Sequence, residues 1–160
     1  MNKELIDNIN KELENKSTPE VIEYFLTKFK NVALSSSLAA EDQVLTDIIL
    51  KQDKNATIFT LDTGRLHPET YDVMDATNLK YGVKIDVFFP LNEKVQELYQ
   101  NQGVNGHYES IENRKACCNI RKIEPLKRAL KDAEVWITGL RASQSVTRVD
   151  MPLVEWDENF

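Results

Sequence analysis

The sequence has little of what marks a secreted, low-complexity or membrane protein. Its 160 residues include two cysteines, five glycines and five prolines. Two cysteines cannot build the disulfide framework of a small secreted domain, and so little Gly and Pro argues against low complexity. No apolar run approaches the ~20 residues that a membrane-spanning helix needs, and the polar residues 1–8 are unlike a signal peptide. We therefore expect a cytoplasmic protein that does not bind membranes.

The net charge of −6 conceals one basic segment. Residues 113–148 carry nine Lys and Arg against three acids, a local charge of +6, while the rest of the chain carries −12. A protein that coats nucleic acid is basic over much of its surface, so this balance argues against that class. It predicts instead a small anionic ligand. The alternative, a solvated helix face, is the interpretation we accept for Lys127, Arg128 and Lys131.

Strand and helix patterns alternate along the chain about four times with short connections. The helical patterns cover residues 3–14, 18–29, 41–51, 68–81, 93–101 and 118–132, and the strand patterns cover residues 32–34, 56–61, 84–89 and 134–138. This alternation predicts a single α/β domain, residues 1–160, whose mainly parallel sheet is flanked by helices, with the helices of residues 1–30 at one edge. Ligands of such folds bind beyond the carboxyl ends of the strands.

Two of the predicted strands end in compact polar sequences. Residues 35–42 begin with three serines, whose hydroxyl and backbone N–H groups at a helix start suit an anion, although serines also cap helices. The loop is not a Walker A loop, because the Gly-Lys-Ser/Thr ending is missing. Residues 61–65 combine a tight turn at Gly64 with Arg65, which can reach a phosphate or a base. Both loops are therefore candidate nucleotide contacts.

A third polar strand end follows residue 137. Arg141 and Arg148 flank a stretch rich in hydroxyl groups that contains no acid. Planar guanidinium groups suit phosphate and sulfate oxygens. The alternative is an ordinary polar loop. Three such strand ends together favour a nucleotide-like anionic substrate.

The two cysteines, Cys117 and Cys118, are adjacent and lie among four Lys and Arg side chains. A disulfide between neighbours is strained, and a basic setting favours thiolates, which serve as metal ligands or redox groups. Two small buried residues are the other interpretation. Neighbouring side chains diverge by ~100° in a regular helix, so we expect the pair at or before the first turn of its helix. Pro125 does not fit inside a regular helix unless the helix begins near it, which is compatible with irregular backbone there.

Four segments, in order, closely resemble the assimilatory adenylylsulfate and phosphoadenylylsulfate reductases. They are residues 34–42 (LSSSLAAED), 61–70 (LDTGRLHPET), 115–126 (KACCNIRKIEPL) and 136–148 (WITGLRASQSVTR). The resemblance implies an adenine nucleotide α-hydrolase-like fold of the PP-loop or Rossmann-like kind. It assigns nucleotide contacts to Ser35, Ser36, Ser37, Leu61, Asp62, Gly64, Arg65, Gly139, Arg141 and Arg148. It also implies that Lys122 meets the phosphosulfate group.

The cysteine pair separates the two branches of this family. Enzymes that use adenylylsulfate carry it, together with a later Cys-x-x-Cys, as ligands of a 4Fe-4S cluster, and the phosphoadenylylsulfate branch lacks it. The resemblance therefore implies an adenylylsulfate reductase, in which Cys117 and Cys118 bind the cluster. Such enzymes make sulfite and AMP with thioredoxin as the reductant, in sulfate assimilation and cysteine biosynthesis. In members of this family, a cysteine near the C-terminus attacks the sulfur of the substrate's sulfonyl group.

This sequence contains neither the later Cys-x-x-Cys nor the nucleophilic cysteine of the family's C-terminal tail. A 4Fe-4S cluster takes four thiolates. We therefore expect the N-terminal portion of a longer reductase, inactive by itself and with its cluster absent or incomplete.

Several alternatives stay open at this point. They are a phosphoadenylylsulfate reductase and a non-catalytic module that binds an adenine nucleotide. A PP-loop pyrophosphatase would need Ser-Gly-Gly-x-Asp-Ser, which residues 35–42 do not supply. A zinc site with His107 lacks the usual four ligands. The sequence also leaves a homo-oligomer open.

Overall fold

The helices and strands of the computed structural model follow the predicted alternation closely. The structure describes residues 3–141 and 151–160. The strands are β1 (Val32–Ser35), β2 (Thr57–Leu61), β3 (Asp86–Phe88) and β4 (Val135–Ile137). The α-helices are α1 (Lys3–Leu13), α2 (Thr18–Lys28), α3 (Ala40–Gln52), α4 (Pro68–Tyr81), α5 (Asn92–Gln102), α6 (Ile111–Cys118) and α7 (Glu124–Ala129). A 3₁₀ turn covers Gly106–Tyr108 and a π-helical segment covers Asn119–Ile123.

The strands form a parallel sheet in the order β3-β2-β1-β4. Leu34 at the centre is in register with Ile58 on one side and Ile137 on the other. The chain therefore builds outward from β1 to β3 and then crosses to the other side of β1 to add β4. Ligands of open parallel sheets bind where this direction reverses, outside the carboxyl ends of the strands. The predicted parallel α/β fold is confirmed, and the reversal lies between β1 and β4.

Successive residues of β1 point to opposite faces of the sheet, and helices bury both faces. Leu34 packs in a cluster with Ile22 of α2 and Ile49 of α3, whereas Ala33 packs on the other face with Phe59 and Leu126. The side-chain period of two residues in a strand produces this division. Because both faces are covered, the strands are mostly apolar, as is usual for parallel sheets. The exceptions before the carboxyl ends are Thr57 and buried Thr60 of β2 and Asp86 of β3.

The N-terminal helices α1 and α2 pack together through Ile9, Leu13 and Phe25. Residues 151–160 return to α1, where the Asn10 side-chain amide pairs with the backbone of Val154. Its Nδ2 donates to the Val154 carbonyl at 2.7 Å, and its Oδ1 accepts the Val154 N–H at 3.0 Å. These two bonds fix the last described segment against the first helix.

The sequence prediction was wrong about the helix that carries the cysteines. In place of one helix over residues 118–132, α6 ends at Cys118, the π-helical segment follows, and α7 begins at Glu124. The cysteine pair therefore ends a helix, although we predicted it at or before a first turn. Pro125 lies in the first turn of α7, directly after the π-helical segment. The irregular backbone expected near Pro125 is confirmed, since the π-helical segment directly precedes α7.

Among the described residues, no helix combines the length and the apolar character that crossing a membrane requires.

The start of α2 provides a test of stability against pH. The Ser17 hydroxyl and backbone N–H donate to the Glu20 carboxylate at 2.6 and 2.8 Å, and these bonds lower the pKa of Glu20 from 4.5 to about 2. A lowered pKa stabilises the fold above pH 4.5, and this contribution is lost as the pH falls toward 2. When the pH is lowered from about 5 to about 2, the unfolding temperature of Glu20→Gln should therefore fall less than that of the wild type. Glu23→Gln, an exposed change in the same helix, should keep the wild-type slope, and a wild-type slope in Glu20→Gln would contradict the assignment.

Candidate functional site

The serine loop, residues 35–38, connects β1 to α3, and its first two hydroxyl groups are bonded within the protein. The Ser35 hydroxyl oxygen accepts the indole N–H of Trp136 at 2.7 Å. The hydroxyl oxygen of buried Ser36 accepts the Leu38 N–H at 3.1 Å. Leu38 adopts a φ of +63°, a conformation that side chains with a Cβ rarely take. The first two serines therefore shape a tight turn in front of α3.

Ser37 and Asp42 close the first turn of α3. The Asp42 Oδ2 accepts the Ser37 N–H at 2.6 Å and the Ser37 hydroxyl at 2.5 Å. Asp42 is 6% exposed, which is unusual for a carboxylate and requires hydrogen-bond partners. Its position near the helix start is also favourable for a negative charge. The carboxylate therefore holds the serine loop over the N-terminus of α3.

The residues after β4 pack against this carboxylate. A Cβ at Gly139 would lie 2.0 Å from Asp42 Oδ1, so no side chain fits at this position. Arg141, two residues further on, forms an ion pair with Glu41 of α3. The loop after β4 thus contacts the start of α3 at the point where the direction of the sheet reverses.

The loop after β2 is held by buried Asp62. Its Oδ1 accepts the Gly64 N–H at 2.7 Å, and its Oδ2 accepts the Tyr71 hydroxyl at 2.8 Å. The bond to Asp62 raises the pKa of Tyr71. Gly64 has a φ of +71°, which favours glycine, and half-buried Leu61 is the last residue of β2. Both carboxylate oxygens of Asp62 are therefore used to shape the turn.

Two arginines approach this turn from different elements. Arg65 extends from the turn and donates to the Val104 carbonyl and, at 3.2 Å, to the Asn105 side chain. Arg121 comes from the π-helical segment, is 5% exposed, and donates to the Thr63 carbonyl. The two guanidinium groups make this strand end basic.

Tyr99 of α5 lies beside both guanidinium groups. The Arg121 guanidinium carbon is 5.2 Å from the centre of the Tyr99 ring. Burial raises the pKa of Tyr99, but the neighbouring Arg65 and Arg121 outweigh burial, so that its pKa lies below the usual value. A lowered tyrosine pKa is what two neighbouring positive charges produce, because they stabilise the ionised phenolate.

The cysteine pair carries free thiols at the C-terminal end of α6, with Cys117 half-buried and Cys118 exposed. In the described part of the chain, no group of three or more His, Cys, Asp and Glu side chains is arranged to hold a metal ion. The structure does not bring His107 and the two cysteines together in such a group. Two thiols do not by themselves fit a 4Fe-4S cluster, which takes four thiolates.

The predicted site residues fall at adjacent strand ends. Ser35, Ser36, Ser37, Gly139 and Arg141 lie together around the reversal point, and Leu61, Asp62, Gly64 and Arg65 lie at the end of β2, which pairs with β1. Lys122 is exposed on the π-helical segment, next to Arg121. Arg148 lies outside the described residues. The binding roles of all these side chains stay predictions.

The family described as the phosphoadenosine phosphosulfate reductase domain matches residues 31–160. The chain belongs to this family. The match begins directly before β1 and includes every strand-end loop and the cysteine pair. The membership that the four sequence segments indicated is confirmed. The fold of the reductase domain therefore places the family's characteristic loops along one edge of the sheet.

Similar proteins are found among curated sequences. The chain is 48% identical over 127 residues to an adenosine 5'-phosphosulfate reductase of Burkholderia cepacia, covering 79% of this chain and 51% of that protein. It is 42% identical over 138 residues to the enzyme of that name from Allochromatium vinosum, covering 86% and 54%. A chloroplastic 5'-adenylylsulfate reductase 3 of Arabidopsis thaliana is 40% identical over 155 residues, covering 96% and 33%. The chain thus spans about half the length of the bacterial relatives it matches.

A solved structure shares the fold. The crystal structure of phosphoadenylyl-sulfate reductase from Candida auris, in a phosphate complex, superposes with a TM-score of 0.80 at 27% sequence identity. The alignment covers 99% of this chain and 75% of that one. The N-terminal helices α1 and α2, which precede the family match, therefore also have counterparts in a known structure.

Sequence reasoning missed three residues that organise the reductase domain. Asp42 belongs to a quoted segment, but its burial against Gly139 depends on the pairing of β4 with β1. Tyr71 carries no signal beyond lying on the helix after the Asp62 turn. Arg121 was counted only among the charges around the cysteines, and its burial against the Thr63 carbonyl follows from the π-helical segment.

The contact between Gly139 and Asp42 provides a stability test. Gly139→Ala should destabilise the domain by about 1–3 kcal/mol, because the added Cβ overlaps the Asp42 carboxylate. In an Asp42→Ala background the same change should cost far less, giving a coupling energy above about 1 kcal/mol in a double-mutant cycle of chemical unfolding. Additive effects of the two changes would contradict this packing.

Proposed function

We propose that this domain binds adenylylsulfate and forms part of an enzyme that reduces it to sulfite and AMP with thioredoxin. The proposal rests on one observation: the serine loop, the Asp62 turn and the residues after β4 meet at the edge where parallel sheets bind ligands. The names of the similar curated proteins support it. The reaction belongs to sulfate assimilation and cysteine biosynthesis. The free thiols Cys117 and Cys118 favour a reducing compartment such as the cytoplasm.

The nucleotide would lie along the carboxyl edge of the sheet. The N-terminus of α3 suits a phosphate group. The Ser36 and Ser37 N–H groups already donate to the Phe59 carbonyl and to Asp42, so contact with the phosphate would come from the serine hydroxyl groups. The Ser35 and Ser36 hydroxyls accept bonds within the protein and can still donate a proton. Leu61 and Gly64 would contact the nucleoside through their backbone, because Asp62 already uses both carboxylate oxygens within the turn. Gly139 has no room for a side chain and would bring its backbone close to the ligand.

The positive side chains would neutralise the phosphosulfate group. We assign this role to Lys122, Arg141 and Arg148, with Arg65 at the neighbouring strand end. Arg141 is paired with Glu41, an anionic partner of the kind that the phosphosulfate group would also supply. Such cations stabilise the charge that develops on AMP as it leaves.

The chemistry requires a thiolate from outside this chain's cysteine pair. That thiolate attacks the sulfur of adenylylsulfate, an S–S bond forms, the bond between sulfur and the phosphate oxygen breaks, and AMP leaves with the electron pair. The dithiol of thioredoxin then attacks the cysteine sulfur of the thiosulfonate, so that sulfite leaves and thioredoxin ends as a disulfide. Because this sequence has two cysteines, both assigned elsewhere, the domain alone should not release sulfite.

We further propose that Cys117 and Cys118 supply two of the four thiolates of a 4Fe-4S cluster in the longer enzyme. Their adjacency, their partial exposure and the Lys and Arg residues around them support this assignment. The other two thiolates must come from another segment or another chain.

Phosphoadenylylsulfate is the alternative substrate. The fungal structure with the same fold carries that name, and the two substrates differ only in a 3′-phosphate. The cysteine pair favours adenylylsulfate. A non-catalytic module would bind the same nucleotides without any reduction in the longer protein.

Calorimetry with AMP and with adenosine 3′,5′-bisphosphate separates these substrate classes. The chain should bind AMP at least ~10-fold more tightly, a difference of about 1.4 kcal/mol. It should release no sulfite from adenylylsulfate with thioredoxin, whereas the longer protein should. Preference for the bisphosphate would support the phosphoadenylylsulfate alternative, and sulfite release by this chain alone would contradict the proposed source of the nucleophile.

A further inference from the structure

Arg121 carries a buried positive charge that no carboxylate in the described part of the chain balances. The residue is 5% exposed, its Nη1 donates to the Thr63 carbonyl, and its Nη2 is buried without a hydrogen-bond partner. Within residues 3–141 and 151–160 it forms no ion pair with an acid. Burying an unpaired charge is costly, and an apolar residue of similar size would pack there at lower cost. This cost indicates a role beyond packing.

The Arg121 guanidinium group is in close contact with the turn after β2. A Cβ at Gly64 would lie 3.3 Å from Arg121 Nη1, closer than ordinary van der Waals contact. From the other side, the Asp62 carboxylate holds the Gly64 N–H at 2.7 Å. The turn is thus clamped between Asp62 and Arg121, and a movement of Arg121 changes the space available to the turn.

The same arginine belongs to the backbone segment that follows the cysteines. The π-helical segment Asn119–Ile123 begins directly after Cys118, and Arg121 is its central residue. Single π-helical turns are frequent at functional sites, because their wider turn is less regular than an α-helix. A rotation of this segment would therefore move both the cysteine pair and the guanidinium group.

Within the described ranges, few direct contacts of a polar kind join the turn, residues 62–65, to the cysteine segment, residues 111–123. Among the residues that the structure describes, the bond from Arg121 to the Thr63 carbonyl is the one hydrogen bond that joins residues 62–65 to residues 111–123. Arg65 instead bonds to residues 104 and 105. This direct hydrogen bond is a defined physical path for coupling between the turn and the cysteine segment.

We propose that Arg121 is a positioning residue that couples the nucleotide-binding turn after β2 to the cysteine pair. Nucleotide binding at residues 61–65 fixes the Thr63 carbonyl, which fixes Arg121 and, through the π-helical segment, Cys117 and Cys118. This inference rests on the proposed nucleotide site. It goes beyond that proposal, because Arg121 is not among the proposed nucleotide contacts. The inference gives Arg121 the role of linking the nucleotide-binding turn to the cysteine pair.

The rate at which iodoacetamide alkylates Cys118 measures this coupling. In the wild-type chain, saturating AMP should slow alkylation at least ~5-fold, a factor at the low end of common coupling strengths. Arg121→Met has a similar length but no N–H donor, and it should lose the effect of AMP. Arg121→Lys keeps one donor and should retain part of the effect. The modified peptide is quantified by mass spectrometry, and AMP affinity is measured by calorimetry on each variant.

Arg128→Met is the matched control. Arg128 lies in α7 and donates to the Phe89 carbonyl after β3, so it makes the same kind of bond at the neighbouring strand end. This variant should keep the full effect of AMP. Gly64→Ala changes the same contact from the side of the turn, because the added Cβ displaces the Arg121 guanidinium group. This variant should also weaken the protection of Cys118 by AMP. Circular dichroism of every variant checks that it is folded.

Three results would overturn the inference. If AMP still protects Cys118 in Arg121→Met, the nucleotide covers the cysteine directly. If AMP binds the wild type without changing the alkylation rate, the two sites are not coupled, and the proposed function stands without this inference. If the wild type does not bind AMP, the proposed function fails and the inference fails with it.

Discussion

The buried carboxylate of Asp42 is the interaction on which the carboxyl edge of the sheet depends. It accepts both the N–H and the hydroxyl of Ser37, and it fills the space in front of Gly139. One side chain thereby joins the loop after β1, the start of α3 and the loop after β4 at the reversal point of the sheet. Because a buried carboxylate needs all its partners, Asp42 holds these three segments in one defined arrangement.

A second buried carboxylate organises the neighbouring strand end in the same way. Asp62 uses one oxygen for the Gly64 N–H and the other for the Tyr71 hydroxyl. A carboxylate whose two oxygens both accept bonds within the protein has little left to offer a ligand. An arginine has five N–H donors, so Arg65 keeps donors free beyond its bonds to residues 104 and 105, which suits a charged phosphosulfate group.

Much of the fold could be predicted from the sequence, because the patterns that specify it are local. The helix Pro68–Tyr81 matches its predicted bounds, since a proline opens it and Gly82, with a φ of +67°, closes it. Membership of the reductase family followed from four short segments. The end of α6 at Cys118 was not predictable, because a π-helical segment leaves no periodic signal. The pairing of Asn10 with Val154 and the burial of Arg121 depend on contacts between distant residues.

The central claim is that an adenine nucleotide binds along the carboxyl edge of the sheet. A competing location is a groove of about 740 Å³ between α1 and residues 152–153, on a different part of the surface. Backbone amide NMR of the labelled chain during an AMP titration distinguishes them. If the nucleotide binds at the carboxyl edge, the largest shifts are expected at Ser36, Gly64 and Gly139, with α1 unchanged. Shifts concentrated at Asn10, Lys11 and Leu153 would contradict it.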